Sequence, residues 1–241
     1  MSVIIRELLI LLKTGGIDNV NLSRLNHVKT LIYIFIISTV MVICSFFIIA
    51  MTYYILDWRI PTNYLLTETK TQGIWYLFLV SNIISPIIEE IRHRVCLRYS
   101  SLNFSLMLGA WFYFIFGYIY KGNERFFWEN NFFTYRISVS FFLIILLYKL
   151  LGRYGKINIR LKNLWINYKK SIFYFFIISF GFIHITNFPI NTNTLIMTPI
   201  ITLPQTFLGL MLGYTRLKYG IIYSILMHTL FNLIPHIEYL F

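Results

Sequence analysis

The 241-residue chain is 58% hydrophobic and only 12% charged, with a mean hydropathy of +0.69. An ordinary soluble domain carries about 25% charged residues, so this composition excludes a soluble globular protein and indicates an all-α, polytopic transmembrane helical bundle. The net charge of +12 does not indicate a nucleic-acid partner, because the basic residues lie between apolar segments rather than in one basic module.

The first predicted unit is residues 1–30, which precede the long apolar segments. Its apolar patch LLILL lies within residues 2–13 and predicts a short helix at the membrane interface. The rest of the unit is polar. We therefore expect a cytoplasmic or interfacial N-terminal segment, followed by one transmembrane domain over residues 31–241, since no repeat or linker divides the remainder.

Seven apolar segments follow, each long enough to approach the length of a bilayer-spanning helix, which needs about 20 residues. They lie at residues 31–56, 73–97, 99–120, 132–151, 171–187, 195–214 and 219–237. Pro199 and Pro204 predict a kink in the sixth segment, which membrane helices tolerate when neighbours satisfy the freed backbone groups. The expected number of spans is seven, within a range of six to eight.

The basic residues predict the orientation of these spans. Sixteen of the 21 Lys and Arg residues lie in alternate connecting segments, at 1–30, 92–98, 149–170 and 213–220. Cytoplasmic loops are enriched in Lys and Arg, so this bias predicts a cytoplasmic N-terminus and an external C-terminus. The heavy use of Ile, Asn, Lys, Phe and Tyr is typical of an AT-rich bacterial gene, which predicts a multi-pass protein of a bacterial cytoplasmic membrane.

Ionisable residues inside the apolar segments are costly and are therefore candidates for function. The stretch SPIIEEIRHRV places Glu89, Glu90 and Arg94 at the end of the second segment. Arg94 follows Glu90 by four residues, a spacing at which helical side chains meet, so Arg94 is expected to hold Glu90. Glu89 points elsewhere and is freer to act on water. The alternative interpretation is a solvated helix end with mixed charges.

Two further motifs occur downstream. Phe180 and His184 form an F-x-x-x-H pattern in the fifth segment, and His228 and Asn232 form an H-x-x-x-N pattern in the seventh. In each pair the two side chains share one helical face. The alternatives are that His184 is a hydrogen-bonded packing residue and that His228 and Asn232 join helices by hydrogen bonds.

These three motifs, in this order and all in apolar helices, resemble those of the CAAX-protease and bacteriocin-processing (CPBP or Abi) family of intramembrane endopeptidases. That family includes the type II CAAX prenyl endopeptidases. The resemblance covers about residues 73–236, and the Leu- and Gly-rich stretch at 208–232 adds to it. The chain departs from the family in having Arg92 and His93 where apolar residues are usual.

The resemblance implies roles for four of the residues. It implies that Glu89 is the base that activates water and that His184 assists it. It also implies that His228 and Asn232 donate hydrogen bonds to the tetrahedral intermediate. The implied substrate is a membrane-anchored or lipidated protein or peptide, cleaved within the bilayer.

The resemblance also implies that Glu90 and Arg94 support the site. Both metal-dependent and metal-free mechanisms fit the family, and we favour a reaction without a cofactor. If a zinc ion is present, the residue types predict Glu89, His184 and His228 as its ligands, with water in the fourth position. The H-E-x-x-H motif that would strengthen this alternative is absent from the sequence.

Two other classes of function compete with the protease. A non-catalytic relative acting in bacteriocin immunity or scaffolding is favoured by the departure at Arg92 and His93. A proton-coupled transporter is favoured by glutamate and histidine in apolar helices. Against the transporter, the sequence has no inverted repeat and no matched pair of interrupted helices.

Overall fold

The structure is a computed structural model that describes residues 2–17, 27–58, 61, 74–121 and 131–234. Within these residues every regular element is a helix, which confirms the all-α prediction. The α-helices are α1 (Ser2–Thr14), α2 (His27–Leu56), α3 (Ile74–Leu79), α4 (Ser85–His93), α5 (Ser101–Lys121), α6 (Asn131–Arg153), α7 (Gly155–Asn167), α8 (Lys169–Ile183), α9 (Thr192–Ile196), α10 (Thr198–Ile201), α11 (Leu203–Tyr219) and α12 (Ile221–Leu233). A π-helix over Val80–Ile84 joins α3 to α4, and 3₁₀ helices at Val95–Leu97 and His184–Asn187 follow α4 and α8.

Three helices among the described residues are long and apolar enough to cross a membrane. They cover His27–Leu56, Phe133–Arg153 and Lys169–Asn187 and coincide with the first, fourth and fifth predicted spans. Ser101–Gly117 and Ile221–Leu233 are apolar but shorter. The protein is therefore a helical protein with candidate membrane spans, and the third predicted span also corresponds to one helix, α5.

The second and sixth predicted spans each consist of several helical elements. The second is an uninterrupted helical run from Ile74 to His93, with a π-helix between α3 and α4 and a 3₁₀ turn after it, so its role as one membrane span stays a prediction. The sixth is divided between α9, α10 and α11, with Pro199 and Pro204 each in the first turn of a new helix. The predicted kink is therefore confirmed, because proline starts a helix more readily than it continues one.

Close packing between α8 and α11 depends on glycine. A Cβ atom built on Gly181 would lie 2.0 Å from the hydroxyl oxygen of Thr206, and one on Gly209 would lie 3.0 Å from the Phe180 ring. On the next turn of α11, a Cβ on Gly213 would lie 3.1 Å from the Phe173 ring. Small residues of this kind let membrane helices approach closely, and here they seat the aromatic face of α8 against α11.

The N-terminal helix α1 packs into the same core. Ile4, Leu8 and Leu11 are buried in a cluster with side chains of α2, α8, α11 and α12. On the same helix the buried Glu7 carboxylate accepts hydrogen bonds from the Tyr214 hydroxyl and the Lys218 ammonium. The predicted helix over 2–13 is confirmed, and its apolar face is covered by the bundle.

Candidate active site

The first motif lies at the C-terminal end of α4, and that end is buried. Arg94 Nη1 donates to Glu90 Oε1 at 2.9 Å, with the two side chains 1% and 0% exposed. The predicted i, i+4 pair is therefore confirmed. The alternative of a solvated helix end is wrong, because Arg92 and His93 are buried as well.

Side chains from distant elements donate to carbonyl groups of the turn that follows α4. Arg216 donates from Nε to the Arg94 carbonyl at 3.1 Å and from Nη2 to the Val95 carbonyl at 3.0 Å. Trp165 Nε1 donates to the Cys96 carbonyl at 2.7 Å. These bonds attach the turn to α7 and α11 and satisfy three of its buried carbonyl groups.

Both carboxylate oxygens of Glu90 accept hydrogen bonds. Its Oε1 atom accepts from Arg94 and also lies 3.0 Å from Nδ1 of His228 on α12. Its Oε2 atom accepts from the hydroxyl of Ser224, one turn before His228. A buried carboxylate with three donors is stabilised as an ion and fixed in place, so Glu90 is a structural anchor rather than a base.

The two histidines are held by their Nδ1 atoms. His184 Nδ1 lies 2.7 Å from the Phe180 carbonyl, and His228 Nδ1 lies 3.0 Å from the Glu90 carboxylate. Carbonyl and carboxylate oxygens only accept hydrogen bonds, so each Nδ1 carries the proton. In the neutral form of each ring, Nε2 therefore carries a lone pair.

Both Nε2 atoms face Glu89. Glu89 Oε2 lies 3.8 Å from Nε2 of His184 and 3.8 Å from Nε2 of His228. This oxygen is buried and accepts no hydrogen bond from the described residues, although the whole side chain is 20% exposed. Separations of 3.8 Å are too long for direct hydrogen bonds and are suited to bridging by a small polar group.

Phe180 is the aromatic centre of the site. The Arg94 guanidinium carbon lies 3.6 Å from its ring centroid, a cation–π contact. The His184 and His228 rings contact it edge-on at centroid distances of 4.8 and 5.6 Å. The F-x-x-x-H motif thus has a physical basis, because one ring packs against the anchoring cation and against both histidines.

The two unusual residues of the first motif point into aromatic surroundings. The Arg92 guanidinium lies 4.2 Å from the Phe114 ring centroid and 5.5 Å from that of Trp111, both on α5. His93 packs edge-on against Trp111, and its Nδ1 lies 3.1 Å from the backbone carbonyl of Glu89. His93 therefore contacts Glu89 at its backbone carbonyl oxygen.

Asn232 has a hydrogen bond that joins helices. Its Nδ2 donates to the carbonyl of Ser81 in the π-helix at 2.8 Å. This is the interhelical role that the sequence left open for the H-x-x-x-N motif. The expected hydrogen bond from Asn232 to a reaction intermediate stays a prediction.

The sequence did not single out Ser224 or Arg216 as parts of the site. Ser224 precedes His228 by four residues, so its position on the same helical face could have indicated it. Arg216 had no such signal, since its partners lie more than 120 positions away in the chain. Its role depends on the tertiary contact between α11 and the end of α4.

The predicted zinc ligands do not form a metal group in this structure. Among the described residues, no three or more His, Cys, Asp or Glu side chains are arranged to hold a metal ion. The zinc alternative stays a prediction, which a chelator tests.

Comparison with known proteins gives no match: no family model, no curated protein and no solved structure is similar to the chain. The described residues form an all-helical protein with three helices long and apolar enough to cross a membrane. Its site brings two histidines and two glutamates together beside the Phe180 ring, from three helical elements: α4, the 3₁₀ turn after α8, and α12.

Proposed function

We propose that the protein is an intramembrane endopeptidase that uses a glutamate-activated water. The observation that carries the proposal is the position of Glu89 Oε2, which lies 3.8 Å from both Nε2 atoms of His184 and His228. A water bound among these three atoms would donate one hydrogen to the buried Glu89 oxygen and the other to Nε2 of His184, and would accept a hydrogen bond from Nε2–H of doubly protonated His228. Buried ionisable groups of this kind in apolar helices are costly and mark functional sites.

The first step is attack by water on the peptide carbonyl. Glu89 takes a proton from the water as the water oxygen bonds to the carbonyl carbon, and the carbonyl oxygen becomes an oxyanion. His184, neutral and held by the Phe180 carbonyl, accepts the second O–H of the water through Nε2 and so orients it. The reaction needs no protein nucleophile, because the water supplies the oxygen.

The second step is loss of the amine. Glu89 returns its proton to the peptide nitrogen, the C–N bond breaks, and a carboxylic acid and an amine form. The acid then gives its proton to the amine, so the final products are a carboxylate and an ammonium group. His228, when doubly protonated, keeps Nδ1–H on Glu90 and directs Nε2–H to the oxyanion. Glu90 supports this form because its negative charge lies next to the imidazolium, and Arg94 keeps Glu90 charged and in position.

We propose further that the chain crosses a bacterial cytoplasmic membrane seven times, with a cytoplasmic N-terminus, and that it cleaves membrane-anchored or lipidated peptides. The three candidate spans and the two shorter apolar helices support this arrangement. A substrate that arrives through the lipid fits a site whose residues lie in apolar helices.

The test is a cleavage assay with purified full-length protein in detergent and a library of membrane-anchored peptides. We expect wild type to cleave and Glu89→Gln, His184→Ala and His228→Ala to lose at least 100-fold in kcat/KM, about the size of a lost acid–base or oxyanion group. His27→Ala is the matched control, since His27 lies at the start of α2 against Tyr219. Full cleavage by Glu89→Gln would refute the assigned base, and loss of activity with a chelator would favour the zinc alternative.

A further inference from the structure

A second site, separate from the glutamates, lies on the other face of Trp111. It is an apolar groove of about 570 Å³ between α5, α7 and α8. Its walls are Met107, Leu108, Trp111 and Ile115 of α5, Trp165 of α7, and Ile172, Phe175 and Phe176 of α8, with Ser171 at one end. Trp111 also packs edge-on against His93, so it separates this groove from the carboxylate site.

The shape of the groove suits a hydrocarbon chain. Its wall on α5 runs from Met107 to Ile115, a rise of about 12 Å. That is about two fifths of the roughly 30 Å hydrocarbon core of a bilayer. Its lining provides almost no hydrogen-bonding partner for a polar ligand, so the ligand part that fits is a run of methylene groups.

The end of the groove lies beside the most basic segment of the chain. Residues 149–170 hold seven of the 21 Lys and Arg residues and contain neither Asp nor Glu. Lys162 precedes the groove residue Trp165 by three positions on α7, and Lys170 immediately precedes Ser171. Both lysine side chains are exposed.

The helix that carries this charge is of the interfacial type. α7 has no buried residue, connects two candidate spans and exposes Ile159 and Ile166 as well as its lysines and arginine. A short helix with basic and apolar faces and a Trp is typical of segments that lie at a membrane surface. Clusters of Lys and Arg beside a membrane span attract anionic lipid.

We propose that the groove binds one acyl chain of an anionic phospholipid, with the headgroup phosphate held by Lys162 and Lys170. The positive charge of the two lysines favours an anionic headgroup, and the apolar wall of the groove favours the acyl chain of a bilayer lipid. The proposal does not depend on proteolysis and would hold for any function of the glutamate site.

The experiment uses tryptophan quenching, because Trp111 and Trp165 line the groove. Full-length protein in phosphatidylcholine vesicles is titrated with phosphatidylglycerol carrying bromine on an acyl chain, and with brominated phosphatidylcholine as reference. We expect saturable quenching at a low mole fraction of phosphatidylglycerol only. Lys162→Gln/Lys170→Gln should raise the half-saturating mole fraction about tenfold, since each basic residue near a membrane contributes to anionic lipid attraction.

Two matched controls separate this site from general effects. Arg6→Gln/Lys13→Gln removes the same charge from exposed positions of α1 and should leave the titration unchanged. Ile172→Phe narrows the groove and should weaken quenching, whereas Ile178→Phe, at an exposed position of α8 outside the groove, should not. Equal quenching by both lipids, or an unchanged titration for the lysine variant, would overturn the proposal.

Discussion

Glu90 and His228 form a buried pair that joins two helices 138 positions apart in the chain, with 3.0 Å between Glu90 Oε1 and Nδ1 of the imidazole. Because the carboxylate accepts a hydrogen bond from Nδ1–H, the pair fixes both the tautomer and the direction of the ring. Nε2 is left aimed at Glu89. Two adjacent glutamates therefore have opposite surroundings: Glu90 accepts from three donors, and Glu89 has a buried oxygen with no hydrogen bond from the described residues.

This contrast predicts opposite effects on stability. Glu90→Gln removes the charge that pairs with Arg94, and breaking a buried pair costs about 3–5 kcal/mol. The variant should therefore unfold at a much lower temperature than wild type. Glu89→Gln removes a buried charge that has no donor and should change stability by less than about 1 kcal/mol. Thermal unfolding in one detergent measures both. Equal losses in the two variants would show that the glutamates are not divided in this way.

A second prediction concerns Gly209. A Cβ at this position would lie 3.0 Å from the Phe180 ring and 3.2 Å from Nη2 of Arg94, so Gly209→Ala must push on the contact that anchors the site. In most helical positions alanine is more stable than glycine by up to about 1 kcal/mol. We expect Gly209→Ala to lower the unfolding temperature and to reduce cleavage.

The matched control is Gly152→Ala on α6, where nothing lies within 4 Å of the added carbon. This variant should be as stable as wild type or slightly more stable. If Gly209→Ala matched Gly152→Ala in both stability and activity, the packing of Arg94 against Phe180 would not require glycine on α11.

The parts of the site that the sequence predicts are those set by local helical spacing. The pairing of Glu90 with Arg94 follows from four residues of separation, and the breaks at Pro199 and Pro204 follow from proline chemistry. The 3.8 Å approach of Glu89 to His184 joins residues 95 positions apart, so local spacing does not predict it.

The contacts that the sequence could not predict are tertiary. The π-helix over Val80–Ile84 has no simple sequence signal, yet it presents the Ser81 carbonyl to α12. In the sequence Arg92 is a charged residue near the end of an apolar segment, but in the structure its side chain is buried against Phe114. The packing of the helices determines which aromatic residue contacts a given cation. The residue pattern of one helix carries little information about that packing.

A third prediction tests the role of Asn232. Its hydrogen bond to the Ser81 carbonyl ties α12 to the π-helix that leads into α4. Interhelical hydrogen bonds in membranes contribute about 0.6 kcal/mol on average and up to about 1.7. We expect Asn232→Ala to lower the free energy of unfolding by that amount. It should also reduce kcat about tenfold, because α12 is then less well aligned with α4.

An oxyanion donor would behave differently, with a loss of about 100-fold or more in kcat and unchanged stability. Asn193→Ala, at an exposed position of α9, is the control for loss of an asparagine amide and should change neither quantity. Measuring unfolding and kcat on the same preparations separates the interhelical role from direct participation in the reaction.

The last prediction concerns the attachment of the N-terminal helix. Glu7 on α1 is buried and accepts hydrogen bonds from Lys218 and Tyr214 on α11, the helix that also caps α4 through Arg216. Glu7→Gln and Lys218→Met should each destabilise the protein by about 3–5 kcal/mol, because each leaves one buried charge without its partner. The double variant should recover most of that loss, which a double-mutant cycle by thermal unfolding measures directly. Additive losses in the double variant would mean that the two charges do not stabilise each other and that α1 is held by Ile4, Leu8 and Leu11 alone.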